Sequence, residues 1–165
     1  MKKKEIVEGS IFCIPLFMPK DDWKLKLKLK EEDSDKIFIF GRVIENGGGS
    51  GVLVEIFNKT GNLNTKIEDI VNSSLLINPI YIFWEGIIKE RWKVVGKTSN
   101  YNKIKDSNYN EINIIFGIDD NIRIFNYGSG KEKKITEDEA ELLNYEYART
   151  WFPIDLENRI IEELK

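Results

Sequence analysis

Glu8-Gly9-Ser10-Ile11-Phe12-Cys13-Ile14-Pro15-Leu16 and, further on, Ile37-Phe38-Ile39-Phe40-Gly41-Arg42-Val43-Ile44 decide the fold class of this chain. Each is a short run of apolar and aromatic residues. The first is entered through Gly9 and closed by Pro15, and the second runs into a glycine cluster, so both read as buried strands opening a small sheet. Neither block holds a catalytic constellation. A sheet-forming start without chemistry points to a protein that works by presenting a surface.

Between the two blocks, Trp23-Lys24-Leu25-Lys26-Leu27-Lys28-Leu29-Lys30 alternates apolar and cationic residues with period two. That spacing predicts a strand with one apolar face and a lysine row on the other, suited to a solvated sheet edge. The acidic run Glu31-Glu32-Asp33-Ser34-Asp35 then forms a polar turn. After the second block, Asn46-Gly47-Gly48-Gly49-Ser50-Gly51 precedes the strand-like Val52-Leu53-Val54-Glu55-Ile56-Phe57. A phosphate-binding glycine loop needs a following Lys-Ser/Thr pair and a helix, so these glycines read as a hairpin turn.

Thr65 and Glu68 have capping-box spacing and predict a short helix through Ile67, Ile70 and Val71. Leu75 to Ile88 reads as one or two strands, with Arg91-Trp92-Lys93-Val94-Val95-Gly96 as hairpin partner. Lys97 to Asn110 is polar and reads as a long surface loop, the best candidate for disorder or adaptation to a partner. Glu111 to Ile118 and Ile122 to Tyr127 pair across Asp119-Asp120-Asn121, and Gly128-Ser129-Gly130 ends the sheet portion. Thr136 and Glu139 open a helix carrying Ala140, Leu143, Tyr147 and Trp151 up to Pro153, and Asp155 caps a last helix bearing Leu156, Ile160 and Leu164. Strands grouped before helices argue for α+β: a mainly antiparallel, strongly twisted sheet, of which an SH3-like partial barrel is one form, with a short mid-chain helix and two C-terminal helices packed on it.

The length of 165 residues suits one domain, spanning 1–165. A net charge of -3, from 25 basic and 28 acidic residues, lacks the basic bias of a dedicated nucleic-acid binder. No apolar run of about 7 to 15 residues follows Met1-Lys2-Lys3-Lys4-Glu5, so no signal-peptide core is expected, and nothing is long enough to span a membrane. Cys13 is the one cysteine and reads as a buried small hydrophobe, fitting a reducing cytoplasm. The chain has no histidine, which excludes the usual triads and zinc sites. No cofactor is implied.

Several residues invite a chemical reading. Glu85, Glu90 and Arg91 have acid and base character beside the aromatic segment, but charges at a turn are ordinarily solvated. Asp119 and Asp120 lack the ligand repeat and terminal glutamate of a calcium loop. The tryptophans read as core, with Trp92 held apart because aromatic-plus-arginine patches favour binding hot spots. Arg42, at the end of an apolar strand, suits a partner contact, a pair with a buried carboxylate or cover for a sheet edge.

In order, Gly9-Ser10-Ile11-Phe12 with Ile14-Pro15-Leu16, then Phe40-Gly41-Arg42-Val43, Val54-Glu55-Ile56-Phe57 and Arg91-Trp92-Lys93-Val94-Val95-Gly96 resemble the immunity protein 26 family of bacterial polymorphic toxin systems. Tyr127-Gly128, Thr136 to Glu141, and Trp151 before Glu157-Asn158-Arg159-Ile160 resemble that family's closing pattern. The Trp23 to Lys30 segment and the Lys97 to Asn110 loop depart from it.

The resemblance implies an α+β, cytoplasmic, non-enzymatic protein that binds and neutralises a cognate toxin domain. The candidate toxin-binding residues are then Glu31, Glu32, Asp33, Asp35, Arg42, Arg91 and Trp92, the acidic run suiting a basic toxin site. A different reading is an SH3-like nucleic-acid-binding module, resting on the strand-rich start, the lysine row and the aromatics. A carboxylate-dependent hydrolase is a third, and needs two convergent acids in a cleft.

Overall fold

Ser10–Pro15 forms β1, and all six of its residues are buried. In the computed structural model, which describes residues 6–165, this strand lies near one side of a six-stranded sheet. The lysine-rich start, Met1 to Glu5, lies outside the described residues. β1 pairs antiparallel with β2, Phe38–Asn46, which pairs antiparallel with β3, Val52–Gly61. β3 continues into β4, Leu75–Ile82, after the short helix α1, Ile67–Val71. The capping box foreseen at Thr65 does not form, because the Thr65 hydroxyl donates instead to the Asn62 carbonyl at 2.8 Å.

Alternation along the strands sends side chains to two cores. Phe12, Ile14, Ile39, Val43, Val54 and Ile56 gather on one face. Ile11, Cys13, Phe38, Phe40 and Phe57 gather on the other. Both faces of the central strands are therefore covered. Gly41 sits directly opposite Phe12, and a Cβ there would lie 2.5 Å from the Phe12 ring, so glycine lets that ring lie across β2.

Trp23 to Lys30 is not a strand, although its burial partly alternates as foreseen: Leu27 is buried and all four lysines are exposed. Leu27 N–H donates to the distant Glu90 carbonyl at 3.0 Å, while Leu25 and Lys30 bond only to near neighbours in the chain, so the segment lies on the protein without joining a ladder. Its Leu27 seals the second core in place of edge pairing.

After β4 the chain turns through α2, Glu85–Ile88, and a left-handed Glu90 with φ of 61°. This carries β5, Lys93–Lys97, away from β4 to pair antiparallel with β1, so the expected hairpin between the two does not form. Among the described residues the strand order is β4-β3-β2-β1-β5, with a short later strand beyond β4, and the sheet stays open, with no closed barrel.

Lys97 to Asn110 is structured: α3 spans Lys103–Asp106, and a 3-10 turn covers Tyr109–Glu111. A second sheet follows, with β6 at Asn113–Phe116 and β7 at Arg123–Asn126 forming the expected hairpin. Gly128 to Gly130 does not end the sheet but turns it into β8, Lys131–Lys134, so the order from that edge is β8-β7-β6.

The predicted capping box at Thr136 forms in both directions, Glu139 N–H to the Thr136 hydroxyl at 3.1 Å and Thr136 N–H to the Glu139 carboxylate at 2.7 Å. The helix it opens, α4, is shorter than predicted and spans only Glu137–Leu142. The following residues are drawn into strand pairing. β9, Glu146–Tyr147, runs parallel to β6, and β10, Thr150–Trp151, runs parallel to β4. One short segment thus gives a strand to each sheet. Pro153 then opens α5, Pro153–Glu163, rather than closing the previous helix, and Leu156 and Ile160 of α5 complete the first core.

Candidate functional site

The candidate residues divide by burial. Glu31–Asp33 is a 3-10 turn at the surface, with Glu31, Glu32 and Asp35 exposed. Asp33 turns inward, where it accepts the Lys30 N–H at 2.8 Å and pairs with Lys36 at 2.9 Å. The backbone hydrogen bond first, and Lys36 second, hold its carboxyl below the ordinary range. Glu32 lies 3.4 Å from the Lys30 ammonium, both largely exposed.

Arg42 is an interior residue, 3% exposed. It stands opposite Glu55 in the β2–β3 register, and its Nε donates to Glu55 Oε1 at 2.7 Å. The rest of the guanidinium faces the 98–107 loop, donating to the Thr98 hydroxyl at 3.3 Å, the Asp106 carbonyl at 2.6 Å and the Ser107 hydroxyl at 3.3 Å. The Ser107 hydroxyl itself donates to Glu55 Oε1 at 2.6 Å, and lies 2.7 Å from the Tyr101 hydroxyl. Burial is the main cause that pushes the Tyr101 phenol up to about 12. Arg42 thereby ties down the polar loop that reads from sequence as the best candidate for disorder or adaptation to a partner. Its guanidinium also lies 5.3 Å from the Phe57 ring centre and 5.0 Å from that of Tyr101.

Arg91 and Trp92 are both fully buried. Arg91 makes a two-point ion pair with Glu157 of α5, Nε to Oε1 at 2.7 Å and an Nη to Oε2 at 2.8 Å. Trp92 Nε1 donates to the same Oε1 at 2.8 Å, and Lys20 pairs with Oε2. The remaining Arg91 donors meet the Asp22 and Pro19 carbonyls at 3.1 and 2.8 Å. The Trp92 ring stacks on Phe12 with centroids 6.0 Å apart. This cluster fastens α5 and the 19–22 segment to the start of β5.

The structure therefore does not bring the seven candidates into one patch. Glu31, Glu32 and Asp35 face outward, while Arg42, Arg91 and Trp92 spend their polar atoms inside the fold. Their counter-charges, Glu55 and Glu157, escaped the sequence reading as pair members. The available signal was a single carboxylate within an apolar strand in Val54-Glu55-Ile56, and one beside the buried face of α5 in Leu156-Glu157.

A cleft of about 380 Å³ opens beside the Arg42–Glu55 pair, between β4 and the 106–113 segment, with Asn78, Asn108, Asn113 and Asn144 on its walls. Among the described residues no group of three or more His, Cys, Asp or Glu side chains is placed to hold a metal ion. No helix among them is long and apolar enough to cross a membrane. In the lysine row, Lys26 pairs with Glu90 and Lys30 with Glu32, so half of its charge is already met within the chain.

An aromatic surface also emerges around Phe83, Trp151 and Phe152, of which the helical spacing places Trp151 alone on a helix. Phe152 is 52% exposed and stacks on Phe83 at 4.3 Å, and Trp151 lies between Arg149 and Arg159 at 4.0 and 5.0 Å from its ring.

Compared with models of known protein families, residues 7–122 match immunity protein 26. That span covers more than half of the chain and holds both opening blocks, the Arg42–Glu55 pair and Arg91-Trp92. The chain belongs to the immunity protein 26 family. It is an immunity protein whose family-matched part ends before β7. β7 to β10, α4 and α5 lie beyond the match, as does the Tyr127 to Ile160 closing pattern. Within this immunity protein, then, Arg91 belongs to the matched part and its partner Glu157 does not. No curated protein and no solved structure matches the chain.

Proposed function

We propose that this immunity protein acts in the cytoplasm of a bacterium by binding a cognate toxin domain and covering its active site or another surface the toxin requires. The family membership is the observation that carries this reading. The internal chemistry is consistent with it. Arg42, Glu55, Arg91 and Glu157 are committed to one another, which leaves them as supports of a rigid binding body and not as groups that act on a substrate.

Glu31, Glu32 and Asp35 form the outward acidic turn that meets a basic toxin surface, and they contribute mainly to the rate of encounter. Arg42, Arg91 and Trp92 contribute by positioning: Arg42 fixes the 98–107 loop, and Arg91 with Trp92 fixes the start of β5. The toxin supplies the chemistry that is blocked.

The test is co-expression with a toxin domain from a neighbouring gene, together with isolation of the pair. Survival of cells producing the toxin, and co-purification in a fixed ratio, are the expected results. A toxin domain that neither binds the chain nor is neutralised by it removes the reading for that pair.

A further inference from the structure

The cleft beside the Arg42–Glu55 pair has a floor whose hydrogen bonding is incomplete. Glu55 is 3% exposed, and both hydrogen bonds that its side chain receives, from Arg42 Nε at 2.7 Å and the Ser107 hydroxyl at 2.6 Å, end on Oε1. Oε2 accepts none from the described residues. Nor is it sealed away, because the one fully enclosed side-chain polar atom without a partner among those residues is Glu85 Oε2. Glu55 Oε2 therefore opens into the cleft that Glu55 lines.

The walls continue the pattern. Asn78 spends its Nδ2 on the Asn144 carbonyl at 2.7 Å, which leaves its Oδ1 as an acceptor. Asp106 and Glu111 bring the carboxylates around the cleft to three, against one cation, Arg42, whose guanidinium is turned to Glu55 and the 98–107 loop. Phe57 and Leu75 add apolar surface. Such a cleft repels phosphates and carboxylates and offers acceptors to a cation rich in N–H donors.

We propose that this cleft receives one arginine side chain of the cognate toxin, its guanidinium meeting Glu55 Oε2 and Asn78 Oδ1 and its methylene stem lying on Phe57 and Leu75. This rests on the toxin-binding reading above. Arginine suits the site better than lysine, since its planar head is more weakly hydrated and reaches two acceptors at once. The volume of about 380 Å³ is at the low end of ligand sites, which run from roughly 300 to 1,000 Å³, so it holds a side chain and not a helix. Arg42 fixes the adjoining 98–107 loop before the partner arrives, so little ordering is left for the moment of binding.

The experiment uses the full chain and a toxin domain from a neighbouring gene. Glu111→Lys, which adds a cation at the wall, and separately Ser74→Trp, which fills the cleft from an exposed lining position, are each expected to weaken binding about tenfold or more with an unchanged melting temperature. Replacing the toxin's arginines by alanine one at a time is expected to find one whose loss weakens binding about tenfold against the native chain and less than about twofold against Glu111→Lys. Full affinity of both variants, or no arginine with that coupling, overturns the cleft assignment and leaves toxin binding intact. A toxin lysine that carries the coupling overturns the choice of side chain. Absence of any complex removes toxin binding itself, and the cleft assignment with it. Amide hydrogen exchange on the unmodified chain decides the matter even if neither variant folds: exchange across residues 106–113 slows in the complex, and unchanged exchange there overturns the assignment.

Discussion

Arg42 and Glu55 face each other directly across the β2–β3 ladder, both 3% exposed, with Nε and Oε1 2.7 Å apart. The pair shares its side of the sheet with Phe40 and Phe57 and is roofed by Thr98, Tyr101 and Ser107. Removing one member leaves the other charge buried without its counter-ion, which typically costs about 3 to 5 kcal/mol. Glu55→Gln and Arg42→Met are each expected to lower unfolding free energy in urea by that order. The double variant is expected to lose less than the sum, since no lone charge remains.

Glu157 answers Arg91, Lys20 and Trp92 with one carboxylate. Glu157→Ala is expected to destabilise the protein by about 3 kcal/mol or more, because it strands two cations in or near the core. Amide exchange in α5 and β5 is expected to accelerate more than exchange in β6 and β7. Equal acceleration everywhere would show that the cluster is not a local fastening.

Both pairs explain how far the sequence was readable. Continuous apolar runs identified β1, β2 and β3, because burial on both faces leaves a plain mark, whereas the strict period two of Trp23 to Lys30 did not make a strand. The Thr136–Glu139 box was readable because capping is local. β5 pairing with β1, and residues 146–151 as strands, were not readable: partners distant in the chain decided both, overriding the helical spacing of Tyr147 and Trp151. Arg42, Arg91 and Trp92 attracted notice as polar or amphipathic residues in apolar surroundings. Only the folded chain shows that their partners are internal.

Cys13 is buried, and that burial pushes its thiol from an ordinary 9.0 up to about 11, against the opposing Lys93 backbone contact and charge. The native thiol is expected to resist alkylation at pH 8 and to react at the rate of unfolding. The folded state keeps this proton where the unfolded state releases it, so stability falls as pH rises from about 9 towards 11. In Cys13→Ala that part of the alkaline decline should vanish, as measured by urea melts at pH 8 and pH 10.

Asp33 works in the opposite sense. Its folded-state carboxyl titrates below the ordinary 3.8, so its contribution is present above that value and is lost as pH falls through the folded value. Asp33→Asn is expected to flatten the acid limb of stability against pH, as read by urea melts at pH 3 and pH 6.

Glu31, Glu32 and Asp35 point outward, in contrast to Asp33. Reversing these three charges to lysine is expected to slow toxin association several-fold at low salt, with little effect at high salt. Stopped-flow rates at two ionic strengths check this, and equal rates at low salt would remove the acidic turn from the encounter.

The segment that lends β9 to one sheet and β10 to the other sets a timetable for the newborn protein. Tyr81 and Ile82 wait for Thr150 and Trp151, and Arg91 waits for a carboxylate 66 positions later in the chain. A ribosome that has delivered everything through residue 122 has made the whole family-matched portion, yet it has not supplied the piece that closes its interior. The interior around β4 and Arg91 is therefore completed only after residues 150–160 have left the ribosome, later than the whole family-matched portion.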